Sequence, residues 1–172
     1  MAAGCATGGG VAANVAPMLN QRLQPLARFV GNWRGTGAGE PGASAVERSY
    51  APVLGGRFIE VRNRSTYAPQ PANPKGEVHD DVGYLSFDGA RKLFVLRQFH
   101  IEGFFNQYAA TTADFTDGKL VFASEALENI PASFKARETY VFSSADAFEE
   151  IFEIAEDGAK FEVYSHNMLT RA

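Results

Sequence analysis

The sequence is short of several features that would indicate particular classes of protein. Its single cysteine, Cys5, excludes a disulfide within the chain and a zinc site built from cysteines. No block of lysine or arginine stands out and the net charge is -4, so no binding to nucleic acid is expected. No apolar run approaches the roughly 18–20 residues that a membrane-spanning helix needs. The chain is therefore expected to fold by packing and hydrogen bonding and to have no membrane span.

The first residues, MAAGCATGGGVAANVAP, consist mostly of alanine and glycine. The letters AAGC resemble the cleavage end of a bacterial lipoprotein signal, but the basic and apolar regions of such a signal are missing. We interpret residues 1–16 as a flexible tail of a cytoplasmic protein and residues 17–172 as a single domain. The alternative is a lipid-anchored periplasmic lipoprotein, attached through Cys5, if the true start lies upstream.

A short helical segment follows the tail. Apolar residues recur there at spacings of four, three and four, which marks one helical stripe of Leu19, Leu23, Leu26 and Val30. Because proline is unfavourable inside a helix, the pattern predicts two short turns, of which the second begins at Pro25 and stops at Gly31. We expect this segment to plug one end of the domain.

From Asn32 onward, short β-branched and aromatic runs alternate with turns rich in glycine, proline, aspartate or asparagine. The pattern predicts strands at approximately 32–39, 44–53, 56–67, 77–87, 91–101, 103–113, 119–128, 134–143, 147–155 and 160–170. The connections are too short for a crossover helix, so successive strands should pair antiparallel. Such a sheet closes on itself because closure removes its exposed edges. The predicted fold class is all-β: a ten-stranded antiparallel up-and-down β-barrel with a short N-terminal helical plug.

The strands mix polar and apolar residues on the same face. In FEEIFEIA, for example, one face carries Phe148, Glu150 and Phe152. Ten strands enclose more space than the eight whose side chains just fill a barrel interior. The sequence therefore predicts an internal cavity with polar groups on its wall, and hence a small-molecule ligand.

The stretch RFVGNWRGTGAGEPG holds the only tryptophan, Trp33, among closely spaced glycines. It lacks the Lys-Ser/Thr of a phosphate loop and the strand and helix context of a dinucleotide fingerprint. Gly35, Gly37 and Gly39 alternate within one strand, so they are expected to bend it or to admit another group closely. We expect Trp33, Gly35 and Gly37 to close one end of the barrel, with Arg171 of the last strand stacked on the indole.

The histidines suggest two further kinds of site. Glu77, His79 and Asp81 share a strand face and could form a metal site, although this hydrophilic segment favours a solvated strand end. His100 or His166 could be the axial ligand of a haem, or could be a hydrogen-bonded histidine of the barrel.

The segment LRQFHIEGFFNQYAA is the densest polar and aromatic mixture in the chain. Together with later strands it provides the candidate ligand-binding residues Arg97, His100, Asn106, Tyr108, Glu125, Arg137 and Tyr140. We expect Arg97 to pair with Glu125 or Glu128, and Arg137 with Glu138, because a buried unpaired charge is costly. No Ser-His-Asp arrangement can be placed, so catalytic residues are not assigned.

The stretch PLARFVGNWRGTGAGE, followed by ten short strands, resembles the nitrobindin-like, fatty-acid-binding-protein-like branch of the calycin barrels. In that family the first strand carries Gly-x-Trp-x-Gly-x-Gly-x-Gly, which Gly31, Trp33, Gly35, Gly37 and Gly39 match here. VGYLSFD and LFVLRQFHIEGFFNQYAA are also similar to the family. NPKGEVHDD, VLRQFHIEGFFNQY and SYAPVLGGRF are most similar to an uncharacterised bacterial subgroup of these barrels.

The resemblance implies a barrel without the helical lid of fatty-acid-binding proteins. For nitrobindins it also implies haem b with ferric iron, binding of nitric oxide and isomerisation of peroxynitrite to nitrate. The sequence departs from the family in two respects. Glu40-Pro41-Gly42 stands where the family has Tyr-Pro, and the His-Leu pair that follows the family's last strand is absent here.

From the sequence we therefore expect a barrel that binds a small amphipathic or hydrophobic molecule and has no catalytic activity of its own. The alternative is a nitrobindin-like haem protein acting on nitric oxide or peroxynitrite. A structural role at the cell envelope is a third hypothesis, and the sequence leaves a homodimer open.

Overall fold

The structure is a computed structural model, and it describes residues 18–111 and 118–172. The tail predicted at residues 1–16 and the lipid anchor predicted at Cys5 lie outside the described residues. In the described ranges the ten strands are β1 (Gly31–Gly39), β2 (Ser44–Val53), β3 (Phe58–Tyr67), β4 (Glu77–Asp88), β5 (Leu93–His100), β6 (Phe105–Thr111), β7 (Lys119–Glu128), β8 (Lys135–Phe142), β9 (Ala147–Ala155) and β10 (Glu162–Arg171).

The strands form one closed antiparallel barrel in which each strand pairs with its neighbours in sequence and β1 closes the barrel against β10. The predicted fold class is therefore confirmed. Strand bounds differ from the prediction by a few residues at turns, where positive φ angles end the extended backbone. Lys92, for example, has a φ of 60° just before β5 begins.

Close approach between β1 and β10 depends on a glycine. A Cβ atom on Gly35 would collide with the backbone carbonyl of Met168 in β10. The absence of a side chain at this position therefore allows the barrel to close tightly at the β1–β10 seam.

The N-terminal segment forms one 3₁₀ helix, Gln21–Phe29, and not the two turns predicted from the sequence. Pro25 lies inside it. The buried side chains are Leu23, Leu26 and Phe29, whose spacing of three matches the three residues per turn of this helix type. The prediction of the stripe was based on the spacing of an α-helix and therefore did not include Phe29. Within the described residues, no helix has both the length and the apolar character that crossing a membrane requires.

The helix covers one end of the barrel with an aromatic cluster. The ring of Phe29 lies 4.9–5.8 Å, between centroids, from the rings of Tyr50, Tyr140, Phe142 and Phe148. The indole Nε1 of Trp33 donates a 2.7 Å hydrogen bond to the backbone carbonyl of Phe29. This end of the barrel is thus filled by apolar packing, and it is called the closed end below.

Candidate functional site

The opposite end of the barrel contains a cavity of about 460 Å³. One side of the cavity wall is apolar and the other side is polar. Side chains from β7 to β9 and the loop between β7 and β8 make an apolar side that includes Leu127, Ile130, Phe134, Phe152 and Ile154. Strands β3 to β6 supply a polar side with Asn63, Ser65, Asp81, Gln98, His100 and Asn106. A pocket of this size and character lies in the range that small-molecule sites occupy.

A buried ion pair lies at the floor of the cavity. The guanidinium of Arg48 in β2 lies 2.9 Å from Glu150 in β9, and both side chains are about one-twentieth exposed. Glu150 also accepts a 2.7 Å hydrogen bond from the Asn167 carboxamide. Because a buried charge is stable only when it is paired and hydrogen-bonded, these contacts explain how the barrel tolerates an arginine in its interior.

Several buried oxygen atoms around this floor have no hydrogen-bond partner. They belong to side chains with at most 7% exposure: Asn63 Oδ1, Gln98 Oε1, Asn106 Oδ1 and Glu138 Oε2. An unpaired buried polar atom costs about 1–3 kcal/mol, so proteins rarely retain one without a reason. All four side chains line the cavity, so the unsatisfied polar groups are concentrated at this end of the barrel.

Glu138 is the most perturbed of these groups. Burial raises the pKa of its carboxyl group well above the ordinary value of 4.5, and the negative charges of Glu150 and Asp81 raise it further. Burial thus favours the protonated form of Glu138, in which the carboxyl group can donate as well as accept a hydrogen bond.

His100 and Asn106 connect the mouth of the cavity to the core. The Asn106 amide nitrogen lies 3.2 Å from Nε2 of His100 and 2.8 Å from the Tyr108 hydroxyl. Burial lowers the pKa of His100, whereas the carboxylate of Asp81 and then that of Glu102 raise the pKa of the neighbouring His79. His100, Asn106 and Tyr108 are thus brought together as one hydrogen-bonded chain.

Three of the predicted ligand-binding residues lie on the outer face of the barrel. Arg97 bonds to Gln107 at 2.9 Å, Arg137 to Glu153 at 2.6 and 2.7 Å, and Glu125 to Arg91 at 2.7 Å. None of the three lines the cavity. The predicted pairing of Arg137 with Glu138 is wrong, because the two side chains point to opposite faces of β8. Arg97 and Glu125 do lie near each other, both bonded to Gln107. The hydrogen bond from Arg91 lowers the pKa of Glu125 and the positive charge of Arg97 helps to lower it, but this group lies on the outer face and not in the cavity.

Strand alternation and one β-bulge explain this placement. Arg97 lies between the buried Leu96 and Gln98, and Arg137 between the buried Ala136 and Glu138, so both point outward. The register between β6 and β7 shifts after Gln107, and Glu125 falls at this bulge. A bulge changes which residues face inward, and a single sequence does not reveal it.

Tyr140 is also displaced from its predicted role. Its ring is 3% exposed, and it packs against Phe29 with a 5.1 Å centroid separation, so it belongs to the closed end.

The four predicted closure residues also lie at the β1–β10 seam. The guanidinium of Arg171 lies 4.2 Å from the Trp33 ring centroid, as the sequence suggested, and Gly35 and Gly37 are in β1.

The floor of the cavity was not predicted from the sequence, and it is made by Arg48, Asn63, Gln98, Glu138 and Glu150. A signal was present, because most of these polar residues have apolar neighbours two positions away on the same strand face. On the inward face of β2, Val46 and Tyr50 flank Arg48. On the inward face of β9, Phe148 and Phe152 flank Glu150. Each such residue shares its inward face with core residues.

Comparison with known protein families finds no match, and no curated protein matches the chain. Solved structures do match. Rv2717c from M. tuberculosis superposes with a TM-score of 0.69 and 19% identity, over 90% of this chain and 99% of that chain. The S-type phycobiliprotein lyase CPES from Guillardia theta matches with a TM-score of 0.49 and 13% identity, over 84% of this chain and 89% of that one. A de novo designed fluorescence-activating β-barrel matches with a TM-score of 0.44 and 11% identity, over 84% and 94%.

The match to Rv2717c shows the fold, which is a closed antiparallel β-barrel. At 19% identity the likeness to Rv2717c extends to the arrangement of strands and not to a function. The two weaker matches carry no argument about what this chain binds.

Proposed function

We propose that the protein binds a small amphipathic molecule in the cavity and does so without catalysing a reaction. The observation that carries this proposal is the set of unpartnered buried oxygens on the polar side of the cavity. The oxygens themselves are not exposed to the cavity, so a bound molecule would donate hydrogen bonds to them after their side chains turn toward it, and this would remove the cost of leaving them unpaired.

The two sides of the cavity indicate the character of the ligand. The apolar side, with Phe134, Phe152 and Ile154 among its residues, favours a hydrocarbon or aromatic face. The polar side offers amide oxygens of Asn63, Gln98 and Asn106, which accept hydrogen bonds. The ligand that fits best therefore carries hydroxyl or amino groups along one edge and an apolar face on the other.

Of the residues predicted from the sequence, His100 and Asn106 remain our proposed anchors. Both line the cavity and both are largely buried. Tyr108 acts on the ligand only through Asn106, because its hydroxyl bonds to the Asn106 amide at 2.8 Å.

The residues present do not fit the haem of the nitrobindin-like alternative. Nδ1 of His100 faces His79 Nε2 at 3.4 Å, and its Nε2 faces Asn106 at 3.2 Å. One ring face stacks on Phe104 with centroids 4.1 Å apart. A porphyrin plane has no room in front of either nitrogen. His166 lies on the outer face, where it pairs with Glu149 at 3.0 Å.

A pair of adjacent variants tests the binding proposal. Asn106 points into the cavity, whereas Gln107, the next residue of β6, is bonded on the outer face to Arg97. Native mass spectrometry of the purified protein, followed by release of the bound molecule in denaturing solvent, measures how much ligand co-purifies. We expect Asn106→Leu to weaken ligand binding by about 5- to 150-fold and so to lower the occupancy, since a lost hydrogen bond in a buried site costs about 1–3 kcal/mol.

Gln107→Leu is the matched control and should retain the occupancy of the wild-type protein. Equal occupancy in both variants, or a wild-type protein that carries no molecule and binds no fluorescent amphipathic probe such as anilinonaphthalene sulfonate, would contradict the proposal.

A further inference from the structure

Three side chains at the cavity wall bring one nitrogen or oxygen atom each into a cluster at most 3.9 Å across. His79 Nε2 lies 3.4 Å from His100 Nδ1 and 3.7 Å from Asp81 Oδ2, and the last two atoms are 3.9 Å apart. The ligand atoms of a tetrahedral zinc ion, with bonds of about 2.0–2.1 Å, lie roughly 3.3 Å from one another. A single ion can therefore reach all three atoms after small movements of the side chains.

The strand register explains why these residues meet. His79 and Asp81 are two positions apart in β4 and so share a face, and Asp81 pairs directly with His100 in β5. The sequence indicated His79 and Asp81 as neighbours on one face, but it could not supply the third residue, because the register between β4 and β5 is a tertiary feature.

Each of the three side chains has a second polar atom outside this cluster, and that atom makes a short contact with a neighbouring side chain. His79 Nδ1 lies 2.6 Å from Glu102 Oε1, and Asp81 Oδ1 accepts a 2.7 Å hydrogen bond from Asn63. His100 Nε2 lies 3.2 Å from the Asn106 amide. The separations among the three inward atoms are longer than good hydrogen bonds, whereas these outward contacts are short. This contrast is typical of metal ligands oriented by outer-shell partners.

The Asn106 contact requires one adjustment. A half-turn of the Asn106 carboxamide places its oxygen on Nε2 of His100, so that Nε2 keeps the proton and Nδ1 presents its lone pair to the ion. The two orientations of a carboxamide occupy the same volume, so the turn needs no movement of the backbone.

We propose that His79, Asp81 and His100 bind one divalent transition-metal ion of the zinc class, and that Glu102 is a positioning residue acting through His79. Two imidazole nitrogens and one carboxylate oxygen suit Zn²⁺ better than Mg²⁺ or Ca²⁺, which prefer oxygen ligands throughout. Three protein ligands leave a coordination position open, and it faces the cavity that all three residues line. The site goes beyond the proposed binding function and does not depend on it. When the ion is bound, the turned Asn106 carboxamide has its oxygen paired with His100 and offers its nitrogen to a ligand in place of that oxygen.

Titration of the full-length, chelator-treated protein with Zn²⁺ alone tests this proposal. Isothermal titration calorimetry should show one equivalent bound per chain, and Co²⁺ used in place of Zn²⁺ should show the visible absorption bands of a tetrahedral site. All proteins in the series carry Cys5→Ser, so that the single thiol cannot contribute a ligand.

Asp81→Asn and His100→Gln remove direct ligands and should weaken Zn²⁺ binding by more than the roughly 10–100-fold that is typical of an outer-shell change. Glu102→Gln should weaken binding by about 10–100-fold and leave the Co²⁺ bands in place. Far-UV circular dichroism checks folding, and His79→Gln replaces any ligand variant that does not fold.

His166→Gln is the matched control, because His166 and Glu149 form a histidine–carboxylate pair at 3.0 Å on the outer face. It should bind Zn²⁺ as tightly as the parent protein. Absence of stoichiometric binding in the parent, loss of binding in His166→Gln, or full binding in the folded variants that lack a direct ligand would overturn the proposal.

Discussion

The two ends of the barrel are built from the same ten strands but in opposite ways. At the closed end, Trp33 is 1% exposed, its indole nitrogen is hydrogen-bonded and Arg171 covers its ring. At the open end, the buried polar groups of the cavity include four side-chain oxygens without a partner. The closed end is held by apolar packing, with the Tyr50 hydroxyl as an unpartnered polar atom among its rings, whereas the open end has four unsatisfied oxygens, each of which lowers stability.

This difference between the two ends indicates which residues of the barrel to examine for a function. Under the proposed function, the side chains that matter are those that the fold holds in an unfavourable environment, and not those of the most recognisable motif. The motif around Trp33 identifies the fold and lies at the end filled by aromatic packing. Gln98 and Glu138 belong to no motif, yet they line the site.

The largest effect is expected from breaking the closed end. Trp33→Ala removes the indole, its hydrogen bond to Phe29 and the surface on which Arg171 stacks. Loss of a buried aromatic side chain typically lowers the free energy of unfolding by about 3–5 kcal/mol. Urea unfolding monitored by circular dichroism measures this change, and a loss below about 1 kcal/mol would show that Trp33 does not hold the closed end together.

A somewhat smaller effect is expected from the ion pair at the cavity floor. Arg48→Met leaves Glu150 buried, with the Asn167 carboxamide still donating a hydrogen bond to it. Breaking a buried pair from one side costs about 3 kcal/mol or more, and removing both charges costs less. In urea unfolding, Arg48→Met/Glu150→Met should therefore be more stable than Arg48→Met alone. If the two single changes add up in the double variant, the two residues do not act as a pair.

Glu138 permits a smaller, pH-dependent test. In the unfolded chain its carboxyl group loses its proton near the ordinary pKa of 4.5, whereas burial makes the folded protein keep that proton to higher pH. The unfolded state thus binds fewer protons above pH 4.5, and the free energy of unfolding falls as pH rises, by at most about 1.4 kcal/mol per pH unit from this group.

Glu138→Gln removes that titration. Thermal unfolding across roughly pH 4 to 8 should show the free energy of unfolding of the variant rising relative to that of the wild-type protein as pH increases above about 4.5. Parallel curves for the two proteins would mean that Glu138 ionises normally in the folded state.

The barrel and its closed end could be predicted because they depend on local patterns. Strand alternation, turn residues and the spacing of Trp33 and Gly35 are all contained in short segments. His100 and Asn106 were also found, since they lie on two strands joined by a tight turn. The predictions of site residues that failed were those that depended on which face of a strand points into the barrel.

That choice is set by pairing with other strands. Arg97 and Arg137 were expected in the cavity because they are charged and lie in aromatic segments, and one step of alternation places both outside. The bulge near Glu125 and the contact between His79 and His100 depend on register across strands. Arg48 and Glu150 lie 102 positions apart in the sequence, and only closure of the barrel brings them together.

Replacement of Gln98 by leucine tests the contrast between the two ends most directly. The Gln98 side chain is 2% exposed and its oxygen has no partner, so an apolar side chain of similar size removes an unsatisfied group from the open end. Both urea unfolding and native mass spectrometry are applied to the one variant. We expect Gln98→Leu to be more stable than the wild-type protein by about 1–2 kcal/mol and to retain less of the co-purified ligand. A variant that is less stable and binds as well as the wild-type protein would contradict the functional contrast between the two ends.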